Sequence, residues 1–226
     1  MFKNVKVTFK CPQLDKKTFS ISSCSVTVSM CNVSQRGAKF AATIYGITNN
    51  FKECTIMVCD TLQRHNLLVD GFEDISSAHE KAFEIGNDWL RENEQYFSLF
   101  TIPYKVIRWD YWLLHEKYKF SRIKIDDFFE KNDKYRQAFY NATNDFVSRL
   151  EKRNTLKYFD FDKAKALSLE YLKEECAVML LWADNKYNFE IYPSKRNDAM
   201  RATYYYFIAN KYANVLKSVA LDIRTR

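Results

Sequence analysis

The sequence predicts an α/β fold, a mainly parallel sheet with helices on both faces. Three observations predict it. Short β-branched or aromatic runs alternate with helical stretches long enough to serve as crossovers. The runs end on polar or reactive residues (Ser29, Asp60, Arg108 followed by Asp110, and Tyr192), and ligands of such sheets bind beyond the carboxyl ends of the strands. The 226 residues are 47% hydrophobic and 16% aromatic with only 4 Gly and 3 Pro, enough for a sizeable core and too few breakers for long linkers. One domain over residues 1–226 is expected, with 1–22 as an N-terminal edge segment and 23–226 as the α/β unit.

Each element has its own signal. VKVTF (5–9) and TFSIS (18–22), around Cys11-Pro12, read as an edge hairpin or an extension. CSVTVSM (24–30) is a strand in which Val26, Val28 and Met30 alternate with Ser25, Thr27 and Ser29. A helix follows Gly37, with Phe40, Ile44 and Ile47 at helical spacing. CTIMVC (54–59) is the next strand. A long helix over 75–100 starts at Asp74 or Ser76, both plausible caps. YKVIR (104–108) is a third strand, and 126–152 reads as one helix with Phe128, Phe129, Phe139, Phe146 and Leu150 on its apolar face. YNFEIYP (187–193), a short helix in AMRATYYYFIANKY and a last strand, SVALDIR, complete the chain.

The helix between these, LSLEYLKEECAVMLLW (167–182), organises the rest. On a helical wheel Ala164, Leu167, Tyr171, Leu172, Val178, Met179 and Trp182 form one apolar arc. Glu175 falls within it, one turn after Tyr171, whereas Glu170 and Glu174 fall outside, on what should be a solvated face. A carboxylate on a buried arc is either paired with a structural Arg or Lys, or it works.

Several function classes are disfavoured. There is no G-x-G-x-x-G and no Walker loop, so nucleotide use is not expected, and no G-x-S-x-G elbow marks an ordinary serine hydrolase. The six cysteines form no Cys-x-x-Cys pair, and Cys24, Cys54, Cys59 and Cys176 sit in apolar runs like reduced structural thiols. His65, His79 and His115 lack metal-ligand spacing. No apolar stretch is long enough to span a membrane, and the N-terminus has no signal-peptide core, so a cytoplasmic, metal-free and cofactor-free protein is expected. The net charge of +7 suits a polyanionic partner but equally suits plain solubility.

What remains is Ser29 at a strand end, with Glu175, Tyr171 and Tyr192 and no histidine. Ser29 could be a helix cap. It could also be acylated, if the acyl donor is already activated, as an ester of an RNA 3′ end is. A non-catalytic RNA-binding module with tyrosines as stacking platforms is an alternative, and so is an esterase.

The same residues resemble a known family. A Ser ending the first strand, a Tyr and a Glu four apart on a late helix and a Tyr ending the next strand form the pattern of the tRNA-dependent cyclodipeptide synthases. Ser29, Tyr171, Glu175 and Tyr192 stand in those places in that order. FKECTIMVCDTLQRHNLLVDG (51–71), GNDWL (86–90) and VIRWDYWL (106–113) resemble further family segments, so the likeness covers roughly residues 22–224. Tyr192-Pro193 resembles the Tyr-Pro subfamily, while Asn32, three residues after Ser29, matches the other one.

The resemblance implies a Rossmann-like fold similar to the catalytic domain of tyrosyl- and tryptophanyl-tRNA synthetases. It implies a monomer that joins two amino acids from two aminoacyl-tRNAs into a diketopiperazine, by a ping-pong route through an ester on Ser29. Tyr171 and Glu175 would hold the amino group, and Tyr192 would relay a proton. Ser25, Thr27, Asn32, Val178 and Glu190 would bind substrate, and a buried, unpaired Glu190 would favour a small, polar or cationic first amino acid. Better-known members carry an Arg-rich central helix for tRNA, whereas here SSAHEKAFEIGNDWLRENEQYF (76–97) is mixed or acidic. The tRNA contacts would then come from Lys105, Lys117, Lys119, Arg122 and Lys124, or from Lys195, Arg196 and Arg201.

Overall fold

The computed structural model describes residues 5–153 and 160–225. The strands are β1 (Val5–Lys10), β2 (Ser23–Val28), β3 (Glu53–Val58), β4 (Tyr104–Arg108), β5 (Phe189–Tyr192) and β6 (Lys217–Thr225). They form one six-stranded sheet in the order β1-β6-β5-β2-β3-β4. Every pairing is parallel except that of β1 with β6. The helices are α1 (Gln13–Lys16), α2 (Gly37–Thr48), α3 (Arg64–Val69), α4 (Ile75–Phe97), α5 (Trp109–Leu113), α6 (Tyr118–Lys131), α7 (Asp133–Arg153), α8 (Phe161–Asp184) and α9 (Asp198–Thr203). None among the described residues is long and apolar enough to cross a membrane.

Period-two alternation divides the core. Val26, Val28, Ile56, Val58, Ile191 and Val219 pack with Phe40 and Trp89 on the α2/α4 side of the sheet. Met57 and Cys59 pack with Trp109, Trp182 and the α8 side chains on the other. The opposite face of β2, carrying Ser25 and Thr27, is therefore also covered, and every residue of β2 is buried. Asp74 caps α4, accepting from the amides of Ser76 and Ser77.

Four expectations are corrected. TFSIS is not a strand: Phe19–Ile21 is a 3-10 turn, and VKVTF pairs with β6 instead of forming a hairpin. Residues 126–152 are not one helix, because α6 ends at Lys131 and α7 starts at Asp133. Between them Asn132 turns the chain, its side-chain oxygen accepting from the Tyr135 amide. The stretch after α9 winds as a π-helical turn, Tyr204–Ala209. Finally, Glu174 does not face solvent. α8 is buried on all sides from Leu172 to Ala183, because α3, α6, α7 and α9 all pack on it.

Candidate active site

The site forms where the carboxyl ends of β2 and β5 meet α8. Ser29 lies one residue past β2. Its amide donates to Gln35 Oε1 at 2.9 Å, while Gln35 Nε2 donates to the Thr27 carbonyl. Trp89 Nε1 donates to the Gln35 carbonyl at 2.9 Å. One buried amide side chain thus grips the backbone around Val28 and fixes the turn that presents Ser29. Beside it lies a cavity of about 610 Å³, whose wall includes Ser29, Tyr171, Glu175 and Tyr192.

Tyr192 reaches the side chains of both Asn32 and Ser29, and burial, joined by the charge of Glu175, pushes its phenol up to about 12. Asn32 also accepts from the Ser34 amide, which holds the turn after Ser29. Tyr171 is half-buried across the cavity. Burial first, and then Glu175, raise its phenol well above the ordinary value, and Gln63 is its hydrogen-bond partner. Gln63 in turn accepts from Asn66 Nδ2 at 2.8 Å.

Glu175 is 8% exposed. Burial and the neighbouring Glu190 push its carboxyl up to about 8, against a lowering hydrogen bond from Asn197. Glu190 is itself paired: Arg196 Nε and Nη2 lie 2.7 and 2.6 Å from its Oε2. Arg196 also donates to the Leu216 carbonyl and lies over the Tyr204 ring at 4.7 Å. The cavity therefore offers a hydroxyl touching a phenol on one wall. On another it offers a carboxyl that is largely protonated near neutral pH and ready to meet an amine.

The unpaired Glu190 expected from the sequence is corrected by this pairing, which β5 and the following loop bring about within six residues. Ser25 and Val178 are corrected too, since neither reaches the cavity. Ser25 is fully buried with Oγ on the Phe189 carbonyl, and Val178 lies in the core between α8 and its neighbours. Thr27 does line the wall. Asp60, Arg108 and Asp110 do not join the others. Asp60 pairs with Arg108, and Asp110 meets Thr61 and His79. Gly86 makes room for that first pair, because a Cβ there would collide with the Asp60 carboxylate.

Of the basic residues, Lys195 and Arg201 are exposed at the cavity, Arg201 beside Asp198. Arg196 is buried on Glu190 and Arg122 is held between Asp126 and Glu170, so neither is free for a phosphate. Lys117, Lys119 and Lys124 are exposed at or before α6, and Lys105 is exposed on β4 with its ammonium 5.8 Å from the Tyr187 ring. None of these four lines the cavity.

Sequence reasoning missed Gln35, Gln63, Asn197 and Arg149, all placed around the site. It also missed the group that fixes α8. Glu174 accepts from Arg64 Nη1 at 3.0 Å and Trp109 Nε1 at 2.7 Å, with His65 Nε2 at 3.3 Å. Burial alone would raise the Glu174 carboxyl, yet His65 and Arg64 hold it below the ordinary range. The one available signal was the polar run QRHN (63–66), a few residues after a strand. Among the described residues no group of three His, Cys, Asp or Glu side chains is disposed to hold a metal.

No protein-family model matches the sequence, and no curated protein does. Solved structures do match. A CDPS from Fluoribacter dumoffii is 35% identical, with 99% of each chain covered and a TM-score of 0.95. A cyclodipeptide synthase from Candidatus Glomeribacter gigasporarum, bound to Phe-tRNAPhe, is 18% identical with a TM-score of 0.76, covering 94% of this chain and 93% of that one. A Mycobacterium tuberculosis protein, described as showing that cyclodipeptide synthetases are related to type I tRNA synthetases, shares the fold. It has 11% identity, coverage of 99% and 94%, and a TM-score of 0.65.

Proposed function

The chain belongs to the cyclodipeptide synthases, and we propose that it works by a ping-pong route through an aminoacyl ester on Ser29. It is an aminoacyltransferase that makes a cyclic dipeptide from aminoacyl-tRNAs, which sets aside the RNA-binding module and the esterase. In the proposed route Ser29 Oγ attacks the ester carbonyl of the first aminoacyl-tRNA. An ester forms on Ser29, and the tRNA 3′ end leaves with the hydroxyl proton. The amine of that aminoacyl-enzyme then attacks the second aminoacyl-tRNA, forming a peptide bond and releasing the second tRNA. The free amine of the dipeptidyl-enzyme finally attacks the Ser29 ester, and the ring closes as Ser29 recovers its proton.

Each residue has a role in that sequence. Tyr171 and Glu175 hold the amino group of the aminoacyl-enzyme. The positive charge of the arriving ammonium favours the carboxylate form of the buried Glu175, whose proton passes to solvent, and the carboxylate then accepts a proton from the amino group as it attacks. Tyr192 relays the proton at cyclisation. ATP has no part, since the ester already carries the activation. The observation that carries the reading is the cavity itself, which has Ser29, Tyr192, Tyr171 and Glu175 on its wall.

Lys195 and Arg201 at the cavity are proposed to meet the phosphates of the tRNA 3′ end, and Lys105, Lys117, Lys119 and Lys124 the body of the RNA. Tyr192-Pro193 is taken to place the chain in the Tyr-Pro subfamily, and the enzyme to act as a monomer in the cytoplasm, where aminoacyl-tRNA is made. The medium of cells overproducing the protein tests the activity. Mass spectrometry should find a cyclic dipeptide with the wild type and none with Ser29→Ala, and equal amounts from both would overturn the role of Ser29.

A further inference from the structure

Two carboxyls, Glu175 and Glu190, oppose each other's charge at the cavity, and two consecutive residues after β5 treat them differently. Arg196 meets Glu190 with a full positive charge, at 2.7 and 2.6 Å. Asn197 meets Glu175 with a neutral hydrogen bond. One acid is neutralised by a cation and the other is offered only a dipole, the kind of difference that separates two neighbouring carboxyls into a structural and a working one.

Asn197 is itself held in place. It caps α9, its Oδ1 accepting from the Met200 amide at 2.9 Å. With that oxygen occupied, the atom left for Glu175 is Nδ2, which can only donate. The Glu175 oxygen that meets Asn197 is therefore never the protonated one, and the proton sits on the other. The other titratable groups beside Glu175 are Tyr171 on α8, Tyr192 on β5 and Cys59 after β3, whose protons burial holds in place near neutral pH. At the cavity wall α7 brings Asp145 and Arg149, and α9 brings Asp198 and Arg201, an acid and a base from each. Asp70 after α3 and Lys195 after β5 add one more of each sign. These charges cancel in pairs, so the neutral donor of Asn197 is what distinguishes the surroundings of Glu175.

We propose that Asn197 is the positioning residue of Glu175: its Nδ2 fixes one oxygen of the carboxyl and stabilises the carboxylate that forms when the amine arrives. This rests on Glu175 as the base of the second step. A cation at position 197 would hold Glu175 ionised at all times and repel the ammonium. An apolar residue there would leave the carboxylate without a donor. A carboxamide fixed by a helix cap lets the group change state as the amine enters.

The test reads the second step by itself, with the two aminoacyl-tRNAs of the cyclic dipeptide found in the medium. The purified protein is loaded from the first, labelled one and then mixed with the second. The single-turnover rate at which label enters a peptide bond is measured from pH 6 to pH 8.5. Asn197→Ser and Asn197→Asp both keep a capping oxygen for the Met200 amide. Neither donates to Glu175, since the first is too short to reach it and the second has no proton to give. The limb of the profile that rises with pH should move up by about one unit in Asn197→Ser, the worth of one hydrogen bond to a charged group. It should move further in Asn197→Asp, whose added charge opposes that of Glu175. A disturbed α9 would scale the whole profile without moving it. Glu175→Gln, run alongside, should abolish the limb. If it does while both Asn197 variants keep the limb at the wild-type pH, the inference is overturned and Glu175 remains the base. A Glu175→Gln protein with the wild-type profile would overturn the role of Glu175, and this inference with it.

Discussion

At the scale of single residues, Glu175 is the group whose state depends most on the fold. Its carboxyl is raised from 4.5 to about 8 by burial and Glu190. The folded protein therefore keeps a proton there that the unfolded chain loses above its ordinary value. The sign follows: stability is full below about 4.5, falls as pH rises toward 8, and levels off beyond. The upper bound of the loss is on the order of 5 kcal/mol, from the size of the shift. Glu175→Gln removes this dependence. Thermal unfolding at pH 5 and at pH 8.5 should show the variant melting above the wild type at the higher pH, by a margin that shrinks at the lower. A variant that melts at or below the wild type at both would mean that Glu175 is not held protonated by the fold. The position of Glu175 on a buried arc was legible in the sequence, since its neighbours at helical spacing are apolar. The part that Glu190 plays in raising its carboxyl was not legible, because Glu190 comes from a strand fifteen residues further along the chain.

At the scale of the element, α8 carries Tyr171 and Glu175 and is locked by the residue between its working positions. Glu174 is 3% exposed and anchors α8 to α3 and α5 through Arg64, His65 and Trp109. Glu174→Gln leaves the buried guanidinium of Arg64 without its carboxylate. Breaking such a pair from one side costs about 3–5 kcal/mol. Chemical denaturation at neutral pH should place the midpoint of this variant clearly below the wild type, the opposite of Glu175→Gln, and an unchanged midpoint would show that the pair does not hold the helix. A wheel could not foresee this, because it assumes one dry face and one wet one, whereas α8 is wrapped by four helices. The break at Asn132 was hidden for a related reason. Phe128 and Phe129 belong to α6 and Phe139 to α7, and apolar spacing ran on across a turn that one side-chain cap creates.

At the scale of the molecule, alternation of strands and helices was enough to give a parallel sheet. The crossovers that follow from it bring Ser29 and Tyr192 to the same end of β2 and β5, which are adjacent although 163 residues separate the two side chains. Strand order was not legible. Nothing in VKVTF says that its partner is the last strand and not its neighbour in sequence, because an exposed edge strand carries little pattern on its outer face. The expectation that all strand-end residues share a pocket failed for the same reason. Asp60, just past β3, and Arg108, at the end of β4, lie away from β5 in the sheet and neutralise each other there. The central claim is that the cavity beside Ser29 works through a covalent aminoacyl-enzyme. Intact-protein mass spectrometry after brief incubation with a productive aminoacyl-tRNA, followed by peptide mapping, tests it most directly. The account predicts a mass increase of one aminoacyl residue, mapped to Ser29, that disappears when the second aminoacyl-tRNA is added and cyclic dipeptide forms. Cyclic dipeptide formed at an undiminished rate by Ser29→Ala, or an adduct mapped to any other residue, would contradict it.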